Sequence, residues 1–590
     1  MCVIIYFNNM KVCICEKPSV AKDIARVLGA KDMKDGYYEG NGYQVTWTFG
    51  HLCELKMPEE YNPIWKRWNY NILPIIPPKF KIKVKNEVSI QNQFNTIKRL
   101  VEAADEVINC GDAGQEGELI QRWVLHLCKV SCPVKRLWIS SLTEKSIKEG
   151  FKKLQPAENF DSLYQAGMAR SVGDWLLGIN ATRFYTIRHN MGKFGSLQSV
   201  GRVQTPTLAM IVERDRAIDS FQSTSYNKFS TTYRKTVFRS SKEFTDPKEA
   251  KELYNTYKDS TFRVMGVKNT DKTEKPPKMF DLTSLQVHCN NAYGYSAEET
   301  LNTIQSLYEK KMLTYPRVDT CYLTEDVYKE CPNILRQLRT IGYDYVDRID
   351  LSNLMKRSTV FDDSKVTDHH AIIPTGYFTE MDERERNVYD DVAKRFICNF
   401  YGDYKYAETV VTGTCVIDGK GWEEFKTTGR TVQDLGFYDV LGIVPTDVVL
   451  PNFQECEEGE HKLKLETINT TPPARFTEAT ILRAMETAGK QMEDTELKEA
   501  LKENGIGRPS TRAAIIEVLL KRGYITRDKK KLISTEAGKQ LIDSIDYDTL
   551  KSARLTGEWE QKLRKIEKGE YEAKEFMEEM KSMVKTIVKK

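Results

Sequence analysis

Apolar residues in this chain follow two rhythms, and the switching between them divides it. KVCICE is a short continuous apolar run, which predicts a buried strand. In PSVAKDIARVLG the apolar positions fall three and four apart, with Pro18 at the start and Gly29 at the end, and this predicts a helix. VEAADEVINCGD repeats the strand signal and ends at Asp112; GELIQRWVLHLC returns to the helical period. The alternation over residues 11–155 predicts an open α/β sheet with its active groups at the carboxyl ends of the strands.

Further along, residues 157–218 read as mainly helical, with helical spacing throughout ENFDSLYQAGMARSVGDWLLGINATRFYT. From about 219 to 270 the texture changes to Ser-, Thr-, Tyr- and Phe-rich strands such as NKFSTTYRKTVF. A helical block follows from Leu282 to about Tyr401, and strands return in YAETVVTGTCVIDG and HKLKLETI. Two strand-rich stretches around a helical block predict one discontinuous β domain with a helical domain inserted in it. From Thr477 helices dominate, and STRAAIIEVLLKRGYI leading into TRDKKKLIST has the outline of a winged helix. The expected domains are 10–156 (α/β), 157–218 plus 471–590 (helical), 219–277 plus 402–470 (β) and 278–401 (helical), with DKTEKPPK (271–278) as the candidate hinge.

Composition narrows this picture only a little. No stretch approaches the ~18 consecutive apolar residues of a membrane span, so no membrane role is expected. The opening MCVIIYFNN lacks the features of a secretory signal; Met1–Asn9 reads as a dispensable extension, or Met10 as the true start. Thirteen cysteines without framework spacing suit a reducing cytoplasm. Cys128 and Cys132, like Cys13 and Cys15, lack a companion pair and read as structural thiols rather than zinc ligands. A net charge of +4, from 88 basic and 84 acidic residues, is compatible with nucleic acid without arguing for it.

Tyr315, in KKMLTYPRVDT, is the candidate nucleophile. Pro316 biases it towards extended backbone, where Arg317, two residues on, shares its side. A phenol with a pKa near ~10 is a poor nucleophile at neutral pH. A neighbouring guanidinium clamps phosphate and favours charge on the attacking oxygen. Local context alone does not single out one of 29 tyrosines from an ordinary packed ring.

The wider pattern does. EKPSVAKDIARVLG, GHLCEL, GQEGELIQRW, RLWISSLTEKSIKEGF, SVGRVQTPTLAMIVERD, DLTSLQ, LTYPRVD, HHAIIPT and FTEATILRAME stand in order between about Met10 and Phe576. Together they closely resemble bacterial topoisomerase III, of the type IA class. The resemblance implies a Toprim α/β domain at 10–156 and a toroidal body made of a DNA-binding helical domain, a β arch and an inserted helical domain carrying the tyrosine. It also implies ATP-independent, Mg²⁺-dependent cleavage of one DNA strand through a 5′-phosphotyrosine, strand passage and religation, relaxing negative supercoils and unlinking catenated DNA. The chain agrees in having neither a G-x-x-x-x-G-K-[ST] loop nor a dinucleotide glycine fingerprint.

By the same resemblance, Tyr315 is the nucleophile, Arg317 clamps phosphate, Lys17 stabilises charge, Glu16 lies near the leaving oxygen and the metal, and His369 (rather than His370) assists. Asp112, Glu116 and Glu16 are the implied Mg²⁺ ligands. His51, Arg170, Asp174, Ser199, Val200, Gly201, Arg202, Val203, Gln204 and Arg317 line the DNA path. One departure stands out. The family's Asp-x-Asp-x-Glu is here Asp112-Ala113-Gly114-Gln115-Glu116, so Gly114 replaces the middle aspartate and Gln115 the following arginine. Water in place of the missing carboxylate is the expected compensation, because Mg²⁺ keeps several waters. Glu118 is an alternative ligand, or the negative charge that a helix start favours.

The expected partners are single-stranded DNA and negatively supercoiled or catenated duplex, with a helicase as a candidate protein partner. The chain is expected to act as a monomer in the bacterial cytoplasm, at the nucleoid. Two other readings remain open: a DNA-binding scaffold with weakened chemistry, suggested by Gly114 and Gln115, and another Toprim enzyme such as a primase or nuclease, which LTYPRVD disfavours.

Overall fold

The computed structural model describes residues 10–190, 196–366, 368–491, 495–501 and 505–589; Met1–Asn9, read above as an extension, lies outside them. The N-terminal sheet contains β1 (Lys11–Cys15), β2 (Asp32–Lys34), β3 (Tyr37–Gly40) and β4 (Tyr43–Trp47). After a small separate hairpin of β5 (Cys53–Leu55) and β6 (Ile82–Val84), it continues with β7 (Glu106–Cys110), β8 (Val134–Arg136) and β9 (Gln155–Pro156). The strand order is β2-β3-β4-β1-β7-β8-β9, with β4, β1, β7 and β8 parallel and the outer strands antiparallel.

Burial explains the apolar strands. β1 and β7 are inaccessible almost throughout because helices cover both faces of the sheet. On one face α1 (Pro18–Leu28) packs Val20, Ile24 and Ala25 against Cys13, Cys15, Val45 and Ile108. On the other, α2 (Val88–Glu102) and α3 (Gln115–Cys128) cover Val12, Ile14 and Val107. α1 begins with Pro18 and ends at Gly29, whose φ of 79° is the left-handed conformation that closes a helix. Cys13, Cys15 and Cys128 are buried core thiols.

The strand register sets up the site. Cys15 pairs with Cys110, so the residues after β1, Glu16 and Lys17, emerge beside those after β7, Gly111 and Asp112. α3 then starts hard against this edge: a Cβ on Gly117 would fall 2.7 Å from the Asp112 amide nitrogen, so only glycine permits the approach. Glu118, one residue on, is wholly buried and bonded by Arg136 Nε (2.9 Å), Arg122 Nε (2.7 Å) and Asn109 Nδ2 (3.0 Å). Arg136 in turn donates to the carbonyls of Gly111 and Asp112, both at 2.6 Å. Glu118 stands in the first turn of α3, one of the two readings left open for it, and forms an internal ion pair that stiffens the Asp112 turn.

A long helix α5 (Asp161–His189) and α6 (Gln204–Asp219) follow α4 (Glu144–Lys152). The second sheet joins strands from two distant stretches: β10 (Ser225–Tyr233), β11 (Thr236–Ser240) and β12 (Thr261–Glu274) from the first, β13 (Tyr404–Ile417), β14 (Lys420–Asp434), β15 (Glu458–Glu460) and β16 (Lys462–Asn469) from the second. Its order is β15-β12-β13-β14-β11-β10-β16. The helical block interrupts it between β12 and β13, which pair from Thr261↔Val416 to Glu274↔Tyr404.

Two expectations are corrected. Asp271–Glu274, half of the hinge candidate, are ladder residues of β12, because their alternating polar side chains suit a sheet edge as well as a linker. The strand-rich stretch also contains a helix, Pro247–Tyr257, capped by Asp246. In the C-terminal part the helix Pro509–Lys521 leads into the hairpin Ile525–Asp528/Lys531–Ser534, as its pattern predicts.

Removing Glu118 leaves Arg136 buried without its counter-charge. Glu118→Ala is expected to lower stability by roughly 3–5 kcal/mol, measured by urea unfolding; a loss below about 1 kcal/mol would show that the pair is dispensable.

Candidate active site

Five sequence-predicted residues converge where the strand ends of the N-terminal sheet meet the inserted helical block. Lys17 Nζ forms an ion pair and hydrogen bond with Asp112 Oδ2, lies 3.3 Å from Glu16 Oε1 and sits 4.0 Å from the centre of the Tyr315 ring. His369 Nε2 is 3.1 Å from the same Asp112 oxygen, and its ring centre is 4.5 Å from that of Tyr315. His370 takes no part: it donates to the Ala371 carbonyl at 2.9 Å, and desolvation pushes it down to about 4.

The charges in this cluster are strongly coupled. Burial alone would raise Asp112, but His369 and Lys17 outweigh it and hold the carboxyl well below the usual carboxylate range. Burial and the Asp112 charge lift Glu16 above that range, with Lys17 opposing. Burial also raises the Tyr315 phenol, while the Lys17 charge pulls it back. Lys17 itself is desolvated, which would lower it, yet Asp112 and Glu16 hold it firmly protonated.

Arg317 is exposed and makes no hydrogen bond or ion pair among the described residues. Glu116 stands apart from Asp112, bonded to His51 and 3.6 Å from Arg508. Burial would raise it, but the His51 bond and Arg508 bring it down to about 2. Among the described residues, no three carboxylate, thiol or imidazole groups form a preassembled metal shell; Asp112 and Glu16 share the Lys17 ammonium instead.

The predicted DNA-path residues fall into two sets. Arg170 and Arg202 both grip Glu560, in the helix Arg554–Glu567: Arg170 through two bonds of 2.6 and 2.8 Å, Arg202 through one of 3.0 Å. Arg202 also bonds Asp174 and lies over the Trp559 ring. Arg202 is buried and Arg170 half-buried, both paired within the protein, and Glu560 is held at about 2, since its two arginine partners overcome its burial. Ser199, Val200, Gly201, Val203 and Gln204 form the entry to α6. The Ser199 amide donates to Tyr524 Oη (2.9 Å), those of Val200 and Gly201 donate to Thr182 and Thr205, and Gln204 donates to Ser199 Oγ at 2.8 Å.

Several neighbours were missed by sequence reasoning. Tyr308 packs edge-on against Tyr315 and bonds Ser19 across the interface at 2.8 Å. Glu560 and Arg508 lie far along the chain, and only tertiary contact joins them to the site. They explain Gln115: its Oε1 accepts from Arg170 Nε (2.7 Å) and Arg508 Nη2 (3.1 Å), while its Nε2 donates to Glu567 (2.7 Å). An arginine there would face two guanidiniums instead of bonding them.

A strand-end acidic pair facing a tyrosine on a helical insert, in one chain with an interrupted β sheet, is the build of a type IA topoisomerase. Comparison with known proteins agrees. Residues 11–142 match the model of the Toprim domain, and residues 158–578 match that of DNA topoisomerase. The chain therefore belongs to the DNA topoisomerase family. It is 39% identical to DNA topoisomerase 3 of Bacillus cereus and 37% identical to that of Bacillus subtilis, in each case over 98% of this chain and 81% of the relative. Full-length topoisomerase I from Thermotoga maritima superposes with a TM-score of 0.70 at 23% identity, covering 98% of this chain and 90% of that one, a likeness of fold.

Gln115→Arg is expected to destabilise this protein by about 2 kcal/mol through lost bonds and like-charge repulsion, read as a lower melting temperature. A variant as stable as the parent would refute the internal role given to Gln115.

Proposed function

We propose that this chain is an active type IA DNA topoisomerase that cuts one DNA strand through Tyr315, passes a second strand and reseals the first. Attack by the Tyr315 oxygen on phosphorus breaks the bond to the 3′-oxygen and forms a 5′-phosphotyrosine. The bond energy is retained in that link, so religation needs no nucleotide cofactor. The observation that carries the reading is the convergence of Lys17, Asp112, Glu16 and His369 on the Tyr315 ring from two separately folded parts of the chain.

Each group has a role suited to its surroundings. Lys17 favours negative charge on the phenol and at phosphorus; Arg317, exposed and unpaired among the described residues, is available to clamp the phosphate. The raised Glu16 carboxyl suits proton delivery to the departing 3′-oxygen, with His369 assisting beside Asp112. Asp112, Glu16 and Glu116 are the proposed Mg²⁺ ligands; Asp112 and Glu16, hard oxygen donors already sharing a cation at Lys17, fit such an ion. The ion, when bound, would offset the repulsion between these carboxylates and the DNA phosphate.

His51 and the Ser199–Gln204 segment, with Arg317, are the proposed DNA contacts. Arg170, Arg202 and Asp174 act through the Glu560 network that holds that segment in place. The substrates proposed are single-stranded DNA and negatively supercoiled or catenated duplex. The chain would act as a monomer at the bacterial nucleoid, with a helicase as candidate partner. The weakened-scaffold alternative loses its motive at Gln115, which has acquired complementary partners.

Tyr315→Phe is expected to abolish the covalent adduct with end-labelled single-stranded DNA while leaving binding intact; an adduct formed by that variant would defeat the assignment. Lys17→Ala removes the charge that opposes the raised phenol pKa. Its cleavage should therefore need higher pH and fall by about 100-fold at neutral pH. An unshifted pH–rate profile would remove Lys17 from that role.

A further inference from the structure

The glycine in the acidic motif is not there for its backbone. Gly114 has a φ of −164°, extended backbone that any residue adopts. What distinguishes the position is space. A Cβ placed on Gly114 would fall 2.7 Å from Cγ and 2.6 Å from Oδ1 of Asp368, and closer still to Oδ2. The volume that a Toprim aspartate would occupy is already filled by a carboxylate from the tyrosine-bearing block.

We propose that Asp368 supplies, from across the domain interface, the carboxylate that the Toprim cluster lacks at Gly114, so that the divalent-cation site is complete only when the two domains are closed. This rests on the topoisomerase reading of the site and adds a ligand to it.

Two further observations support the placement. A cavity of about 20 Å³ is lined by Asp112, Asp368, His369 and Ser140 together with aliphatic side chains of α1 and of the segment after β8. That is room for one water or a bare divalent ion, with both aspartates among the lining residues. Asp368 is also largely withdrawn from solvent, and the charges of His369, Asp319, Arg508 and Asp112 act on it. A carboxylate so placed, beside a second one, is suited to a cation.

The arrangement has a consequence for the gate. A ligand set drawn from Asp112 on one side and Asp368 on the other ties the Toprim edge to the tyrosine block. Opening the gate would pull Asp368 away and weaken the hold on the ion. Cation binding and closure would then be linked, each favouring the other.

The test measures Mg²⁺ binding to the whole protein, by isothermal titration and by the Mg²⁺-dependent rise in melting temperature, for the parent, Asp368→Asn, Asp368→Ala, and Asp368→Ala combined with Gly114→Asp. Loss of Asp368 is expected to weaken Mg²⁺ affinity about tenfold or more, and to shrink the Mg²⁺-induced stabilisation, with the metal-free melting temperature of Asp368→Asn unchanged. Gly114→Asp should restore most of the affinity in the Asp368→Ala background. Parent-like Mg²⁺ affinity in both single variants, or failure of Gly114→Asp to restore it, would overturn the proposal. Adduct formation by the parent protein, assayed in parallel, separates the outcomes. No adduct would count against the topoisomerase reading itself, whereas an adduct with Mg²⁺ affinity indifferent to Asp368 would overturn only the ligand assignment.

Discussion

The Lys17 ammonium is the contact on which the site depends. It emerges from the end of β1, pairs with Asp112 from the end of β7, touches Glu16, and lies over the ring of Tyr315 from the inserted block. A single half-buried cation thus joins both strand ends of the Toprim sheet to the proposed nucleophile. Desolvation makes such a charge costly unless it is paired, and here two carboxylates and an aromatic face pair it. The same charge that stabilises the closed arrangement is the one that favours the phenolate.

Around this contact the protein stiffens the turn that carries Asp112. Glu118 and Arg136 form a buried ion pair, and Arg136 passes that rigidity to the carbonyls of Gly111 and Asp112. On the outer side, Gln115, Arg170, Arg508 and Glu560 link the start of α3 to the C-terminal helices. The departures at Gly114 and Gln115 are therefore complementary to their surroundings. One makes room for Asp368, and the other accepts hydrogen bonds from two arginines that an arginine in its place would repel.

Much of the fold was legible from periodicity. β1, α1, β7 and α3 of the N-terminal domain, the interrupted β sheet and the C-terminal helix with its hairpin appear where the apolar spacing puts them, because each buries one face against a neighbour. The helix Pro247–Tyr257 was not anticipated: it is short and polar on most sides, and its start rests on the Asp246 cap. The polar run Asp271–Glu274 looks like linker in isolation and becomes strand only because β13 lies beside it.

The candidate site divides in the same way. Tyr315, Lys17, Glu16, Asp112 and His369 were readable because ordered motifs carry them, and the gap at Gly114 was visible as a departure within one of those motifs. Sequence alone determined which residue types were available and where the pattern was broken. What filled the break was decided only by the tertiary structure. Asp368 lies about two hundred and fifty residues from Gly114 along the chain, and no local spacing relates them. Arg508 and Glu560 meet Gln115 and the arginines of α5 and the α6 entry across similar separations. Charge complementarity in a buried site acts through distances of a few ångströms, and only folding brings such distant positions that close.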